Sequence, residues 1–215
     1  MSATKISIPK EVLSQLPQVE CPTTIEVIET AAQARKALGR LMRCKEVGID
    51  TETRPNFRKG DNHKVSLIQV STMKESYLFR INKTGLMSEL CALLESPDVM
   101  KVGLSLRDDF NGLRRIAEIE PQNVLELQDY VGQFGIVDAS LQKIYGVLFG
   151  RRISKGQRLS NWEAQQLSEA QQHYAAIDAW SCLKIYRYLQ RGSFKPENSP
   201  YIMPDEELPQ VDNAE

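Results

Sequence analysis

An α/β fold, with a mixed sheet flanked by helices, is the expectation from three features of the sequence. Residues 46–51, 65–71 and 76–81 are extended apolar runs in close succession, and loops that short cannot carry parallel crossovers, so an antiparallel meander is predicted. After residue 86 helical and extended segments alternate, the pattern of strands joined by helices. The chain has 215 residues, 41% hydrophobic and 26% charged, enough for one α/β domain with a sizeable core.

The elements follow in order. Residues 1–22 hold Pro9, Pro17 and Pro22 and have weak periodicity, which predicts an N-terminal arm packed on the domain edge. Residues 23–28 make a short strand. Residues 30–44 carry Ala31, Ala34, Leu38, Leu41 and Met42 at helical spacing, with Thr30 as N-cap. The three meander strands come next, their loops marked by Pro55, Gly60, Asp61 and Asn62. Then come a helix at 86–94, a strand at 100–104, a helix at 108–118 and a strand at 124–128. Helices at 141–149 and 168–190 are separated by a polar loop at 150–161. The domain is expected over 23–192. Residues 193–215 form an acidic, Pro-rich tail, expected from Pro196 onward to be extended or flexible.

Composition excludes more than it assigns. No apolar run approaches a membrane span and no basic-then-apolar leader is present, so a cytoplasmic protein with no membrane partner is expected. Cys21, Cys44, Cys91 and Cys182 are scattered with no CxxC pair, which predicts free thiols. Net charge is −1, yet six acids and no Lys or Arg follow residue 195, leaving 27 basic against 22 acidic residues before it. A mildly basic body is compatible with a polyanion and does not require one. Phosphate-loop, dinucleotide and serine-elbow motifs are all missing.

Three segments carry chemistry. In Val47-Gly-Ile-Asp-Thr-Glu-Thr53, strand alternation puts Asp50 and Glu52 on one face. Two carboxylates there repel, and a hard divalent cation would offset the cost; an edge strand with both acids in water is the alternative. In the segment around Asp108-Asp109, helical phase sets Asp109 within about 40° of Leu113 and about 20° of Ile116. Asp109 therefore faces the sheet, as a ligand or a structural aspartate, while Asp108 falls on the polar side beside Arg115. In the last helix, Ser168 and Gln171 make a capping box. Tyr174 and Asp178, four apart, share its apolar face, where they either serve a site or bond each other in the core. The three groups arrive in the order strand, strand–helix, helix, and can converge.

Asp50-Thr-Glu52, the Gly103…Asp109 segment and Tyr174-x-x-x-Asp178 resemble the three motifs of the DEDDy-type 3′-5′ exonucleases. The stretch Ser160-Asn-Trp-Glu-Ala, with Leu167-Ser-Glu and His-Tyr-Ala-Ala-Ile-Asp-Ala-Trp180, is similar to the ribonuclease D and Werner-syndrome-type branch. The resemblance runs from about residue 23 to 190 and covers the nuclease domain alone. It implies a ribonuclease-H-like fold and a nucleic-acid 3′ end, DNA or RNA, as partner. It also implies two bound Mg²⁺ or Mn²⁺ ions and release of nucleoside monophosphates, and leaves protein partners unknown.

On that pattern Asp50, Glu52, Asp109 and Asp178 hold the metals and, with Tyr174, form the catalytic set. Tyr174 orients the attacking water; its phenol, with a pKa of about 10, is a poor base by itself. His173 stands five before Asp178, the spacing of the histidine branch, but lies about 140° from it on a helix. It is read as a surface residue. Lys101, Lys155 and Arg158 are candidate phosphate contacts, and Trp162 and Phe57 candidate stacking platforms for a terminal base, with a solvated or core role as the alternative for each. A nuclease-like domain that binds without cutting is the runner-up.

Overall fold

The computed structural model describes residues 4–58 and 60–204. Six strands form one mixed sheet: β1 (Thr24–Ile28), β2 (Glu46–Thr53), β3 (Val65–Ser71), β4 (Glu75–Phe79), β5 (Met100–Gly103) and β6 (Val124–Glu126). Their order across the sheet is β1-β4-β3-β2-β5-β6. The expected meander is there, because β3 pairs antiparallel with both β2 and β4. β5 joins β2, and β6 joins β5, in parallel. Strand β1 adds in parallel to β4 at the far edge.

Eight α-helices are described: α1 (Lys10–Gln15), α2 (Ala31–Leu41), α3 (Ile81–Thr84), α4 (Ser88–Glu95), α5 (Leu106–Arg114), α6 (Leu127–Gly132), α7 (Leu141–Phe149) and α8 (Glu169–Gln190). Helices α2, α4 and α5 cover one face of the sheet with a core around Leu38, Ile49, Val70, Leu93 and Phe110. Helix α8 covers the other face, touching β1 through β5. The core on α8's outer flank joins it to α6, α7 and the arm through Ile6, Val131, Ile144, Tyr145 and Trp180. None of the described helices is long and apolar enough to cross a membrane.

The N-cap expected at Thr30 forms, as part of a capping box with Gln33, and the expected capping box of Ser168 with Gln171 forms too. Several boundaries shift: the strand expected to reach Ile81 ends at Phe79, and the helix expected to reach residue 118 ends at Arg114. The segment expected as helix from 108 starts at Leu106, because Glu126 caps it from outside. The arm contains α1 and a bridge in which Ile6 pairs parallel with Ile136 and antiparallel with Ile202. Residues 193–204, expected as part of a loose tail, instead include a 3₁₀ turn (Pro196–Asn198) and a bond from Met203 N to Lys5 O at 2.8 Å. The remainder of that tail, 205–215, lies outside the described residues.

One close approach fixes how α8 sits. A Cβ at Gly48 would stand 1.9 Å from the Ala179 carbonyl oxygen. Only glycine lets α8 cross β2 this tightly, and the crossing sets Asp178 over Asp50.

Candidate active site

The cleft is built where the ends of β2 and β5 meet the first half of α8. Asp50 and Glu52 project from β2 on the α8 side, and Asp178 descends from α8. Ligand oxygens of these three carboxylates all lie within 4.8 Å of one another. Asp50, Tyr174, Asp178 and Lys155 line one cavity with Leu104 and Ile153.

Asp109 stands beside this group rather than in it. It approaches Asp50 from the α5 side, accepting a bond of 2.5 Å from the Thr51 hydroxyl. Asp109 is half-buried and Asp108 exposed, as the helical phase predicted. The start of α5 is held from β6. Glu126 accepts from Ser105 N at 2.9 Å and from Leu106 N at 2.8 Å. Ser105 adopts a left-handed conformation with φ 63°, a geometry uncommon for a residue other than glycine and retained here by that carboxylate. Thr51 and Glu126 were missed in the sequence. Strand alternation already turns Thr51 toward the α5 face, and Glu126 registers with Gly103 across β5–β6, beside the turn it clamps.

Gathering these acids away from water makes each harder to ionise. Burial raises Asp50 well above the usual carboxylate range, and the charges of Asp109, Asp178 and Glu52 raise it further. Glu52 is pushed up to about 9 by burial and then by Asp178 and Asp109, with Arg158 working against the rise. Burial lifts Asp178 to about 7 against the opposing pull of the Tyr174 phenol and Lys155. Asp109 rises to about 6, again through burial, partly offset by its Thr51 bond. The Tyr174 phenol is driven upward by burial and by the neighbouring carboxylates, so it stays protonated and available as a donor.

The donor set fits hard divalent cations: oxygen ligands only, carrying charge that the two nearby cations do not balance. A second sign is Gln69. It stands directly across from Asp50 on β3, so the two side chains share a face. It is fully buried, and neither atom of its amide has a hydrogen-bond partner among the described residues.

Of the candidate nucleic-acid contacts, the structure keeps three near the cleft or exposed and corrects two. Lys155 and Arg158 are exposed in the 150–161 loop and bear electrostatically on Asp178 and Glu52. Phe57 is 72% exposed in the loop after β2. Lys101 is not a phosphate contact: it is 0% exposed, and its Nζ donates to the Ser96 carbonyl at 2.6 Å. Trp162 is also 0% exposed, packed with Leu67, Leu78 and Leu167 under Tyr174, so it supports Tyr174 from below and offers no face to a base. Its ring centroid is 6.0 Å from that of Tyr174. His173 is exposed on the polar side of α8, as its phase predicted. The loop bearing Phe57 is tied to the Trp162 segment through Glu163, which accepts from Arg54 at 3.3 Å and contacts His63 Nδ1 at 3.1 Å.

Comparison with known proteins gives one consistent picture. The family model described as 3′-5′ exonuclease matches residues 25–192. The chain is 29% identical over 197 residues to the bifunctional 3′-5′ exonuclease/ATP-dependent helicase WRN of Mus musculus, covering 86% of this chain and 14% of that protein. It is 31% identical over 151 residues to a 3′-5′ exonuclease of Arabidopsis thaliana, covering 67% of this chain and 52% of the relative. The chain thus spans about half or less of the length of these curated relatives. Among solved structures, the Aedes aegypti Nibbler EXO domain superposes with a TM-score of 0.70 at 22% identity, over 80% of this chain and 92% of that one. Escherichia coli RNase D superposes with a TM-score of 0.71 at 20% identity, over 79% of this chain and 45% of that one. Trypanosoma brucei RNase D, solved in complex with RNA U12, superposes with a TM-score of 0.66 at 16% identity, over 93% of this chain and 66% of that one. These structural likenesses establish the ribonuclease-H-like fold.

Proposed function

The chain belongs to the 3′-5′ exonuclease family, and from that premise we propose that it hydrolyses phosphodiester bonds from a nucleic-acid 3′ end, releasing nucleoside monophosphates. The observation that carries this reading is the meeting of Asp50, Glu52 and Asp178 within 4.8 Å, with Asp109 and Tyr174 at the margin. Four costly inward acids have no use in the folding of the domain, whereas a hydrolase of phosphate esters needs them.

Two Mg²⁺ or Mn²⁺ ions held by Asp50, Glu52, Asp178 and Asp109 would supply Lewis-acid activation of water and relief of charge on the leaving 3′ oxygen. The protein's own groups do the rest. Thr51 and the Glu126 clamp hold Asp109 at its station. Tyr174, protonated and braced by Trp162, donates a hydrogen bond that orients the attacking water along the line of displacement. Lys155 and Arg158 draw the terminal phosphate toward the carboxylates, offsetting charge that would otherwise repel it. Phe57, exposed on the adjoining loop, offers a face to a terminal base.

The test is digestion of 3′- and 5′-labelled DNA and RNA oligonucleotides with chelator, Mg²⁺ or Mn²⁺. Monophosphates should appear first from the 3′ label, only with metal, and a blocked 3′ end should slow digestion sharply. Rapid cutting of closed circular substrate, or undiminished activity in excess chelator, would overturn the reading.

A further inference from the structure

Away from the cleft, the second half of α8 carries a group of cations that the proposed reaction does not use. Lys184, Arg187, Tyr188 and Arg191 stand at i, i+3, i+4 and i+7, so they share one face of the helix. With Met73 and Phe149 they line a recess of about 250 Å³. Lys184 is half-buried in it. Its Nζ lies 4.2 Å from the Phe149 ring centroid, 4.8 Å from Trp180 and 4.9 Å from Tyr145, and it donates to the Tyr145 hydroxyl at 2.7 Å. Burial opposes protonation of Lys184, and Arg151, in the loop after α7, adds a like charge that opposes it further.

Among the described residues most of the charge here is uncompensated. Arg187 is paired with Glu46, but among the described residues neither Lys184, Arg191 nor Arg151 has a carboxylate partner. A half-buried ammonium beside a second cation is stabilised by an incoming anion. Phe149 and Tyr188 meet edge to face at 5.0 Å on the rim, supplying ring surface next to the cations. Basic groups interleaved with half-exposed rings fit a ligand that carries phosphate and base together.

We propose that this recess is a second nucleic-acid contact, gripping the sugar-phosphate backbone of the substrate strand upstream of its 3′ end. The proposal rests on the nuclease reading for the strand's direction, but not for the chemistry of the site. At 1.5 Å per residue, Lys184 and Arg191 lie about 9 and 20 Å along α8 from Asp178. At about 3.4 Å per nucleotide the strand reaches Lys184 after about three nucleotides and Arg191 after about six. The recess faces away from Asp178, so the strand must round the helix and its path is longer than these axial distances.

Two measurements on the full chain test this. Binding of labelled strands of about three and about twenty nucleotides is followed by fluorescence anisotropy in chelator, across a salt series; turnover of both strands is followed in Mn²⁺. Lys184→Gln with Arg191→Gln should weaken binding of the longer strand about tenfold and flatten its salt dependence by about 0.7 per charge removed. Turnover of the shorter strand should be unchanged. Because Lys184 is packed among rings, the exposed Arg191→Glu and Arg151→Glu variants, checked by melting temperature, repeat the test without touching the core. Unaltered affinity and salt slope for the longer strand in those two variants would overturn the proposal. So would displacement of the longer strand by nucleoside monophosphate alone, which marks a mononucleotide site, or equal displacement by polyglutamate, which marks an indifferent polyanion patch. A protein that cuts neither strand but shows the binding loss would refute the nuclease reading and leave the recess standing.

Discussion

Two pairs of neighbouring residues divide the work of the cleft from that of the surface, and each pair gives a direct experiment. Asp109 is bonded to Thr51 beside the carboxylates while Asp108 faces solvent. Asp109→Asn should lower kcat by roughly 10²-fold or more while folding normally, because the proposed ions would lose one of their ligands. Asp108→Asn should stay within a few-fold of the parent; the reverse pattern in steady-state kinetics would refute the assignment. Tyr174 and His173 form the second pair. Tyr174→Phe should cost roughly 10²-fold in rate, whereas His173→Ala should cost little, and any limb of the pH–rate profile near a histidine-like pKa of about 6.5 should persist in His173→Ala. At this scale the sequence was legible wherever one period decides a direction. Alternation put Asp50 and Glu52 on one face, and helical phase separated Asp109 from Asp108. It failed for Lys101 and Trp162. The return of Ser96 beneath Lys101 and the packing of Leu67 and Leu78 around Trp162 are tertiary facts, and no periodicity reports where a long side chain ends.

Among the elements, the crossing of α8 over β2 is the joint on which the site depends. Gly48 and Ala179 touch there, two residues from Asp50 and one from Asp178. Gly48→Ala would drive a methyl group into the Ala179 carbonyl, and neither backbone can yield without lifting the helix. Chemical denaturation should show a loss of about 3 kcal/mol or more, beyond the propensity gain alanine normally brings to a strand. Whatever fraction remains folded should be slowed, since Asp178 would be carried away from Asp50. A variant as stable and active as the parent would mean that the helix is not held at that distance. The strands and long helices were legible because their runs are long, while α1 and the placement of β1 beside β4 were not. β1 pairs with a strand about 50 residues away, and its sequence is the same whichever edge it joins.

For the whole molecule, the gathered acids make stability depend on pH in a direction opposite to that of most proteins. Free carboxyls titrate near about 4, but in the folded chain Asp178 holds its proton to about 7 and Glu52 to about 9. Below about pH 4 both folded and unfolded chains are protonated at these sites, and their burial carries no ionic penalty. As pH rises the unfolded chain releases its protons first, so stability falls from about pH 4 until the folded carboxyls have ionised near 9. The melting temperature of the metal-free protein should therefore drop between about pH 5 and 9, and saturating Mg²⁺ or Mn²⁺ should remove most of that drop. A melting temperature that climbs over this range without metal would mean the acids are not buried against one another.

The order in which the chain is made gives the position of α8 a consequence of its own. This helix spans residues 169–190, yet it rests on five strands, the first of which begins at Thr24. During synthesis the sheet must wait, with one face bare, until α8 has left the ribosome. Asp178 and Tyr174 travel on α8, so a chain from which α8 has not yet emerged lacks part of the set. On the proposed reading, a nascent chain is thereby inert toward nucleic acid until α8 has emerged and packed.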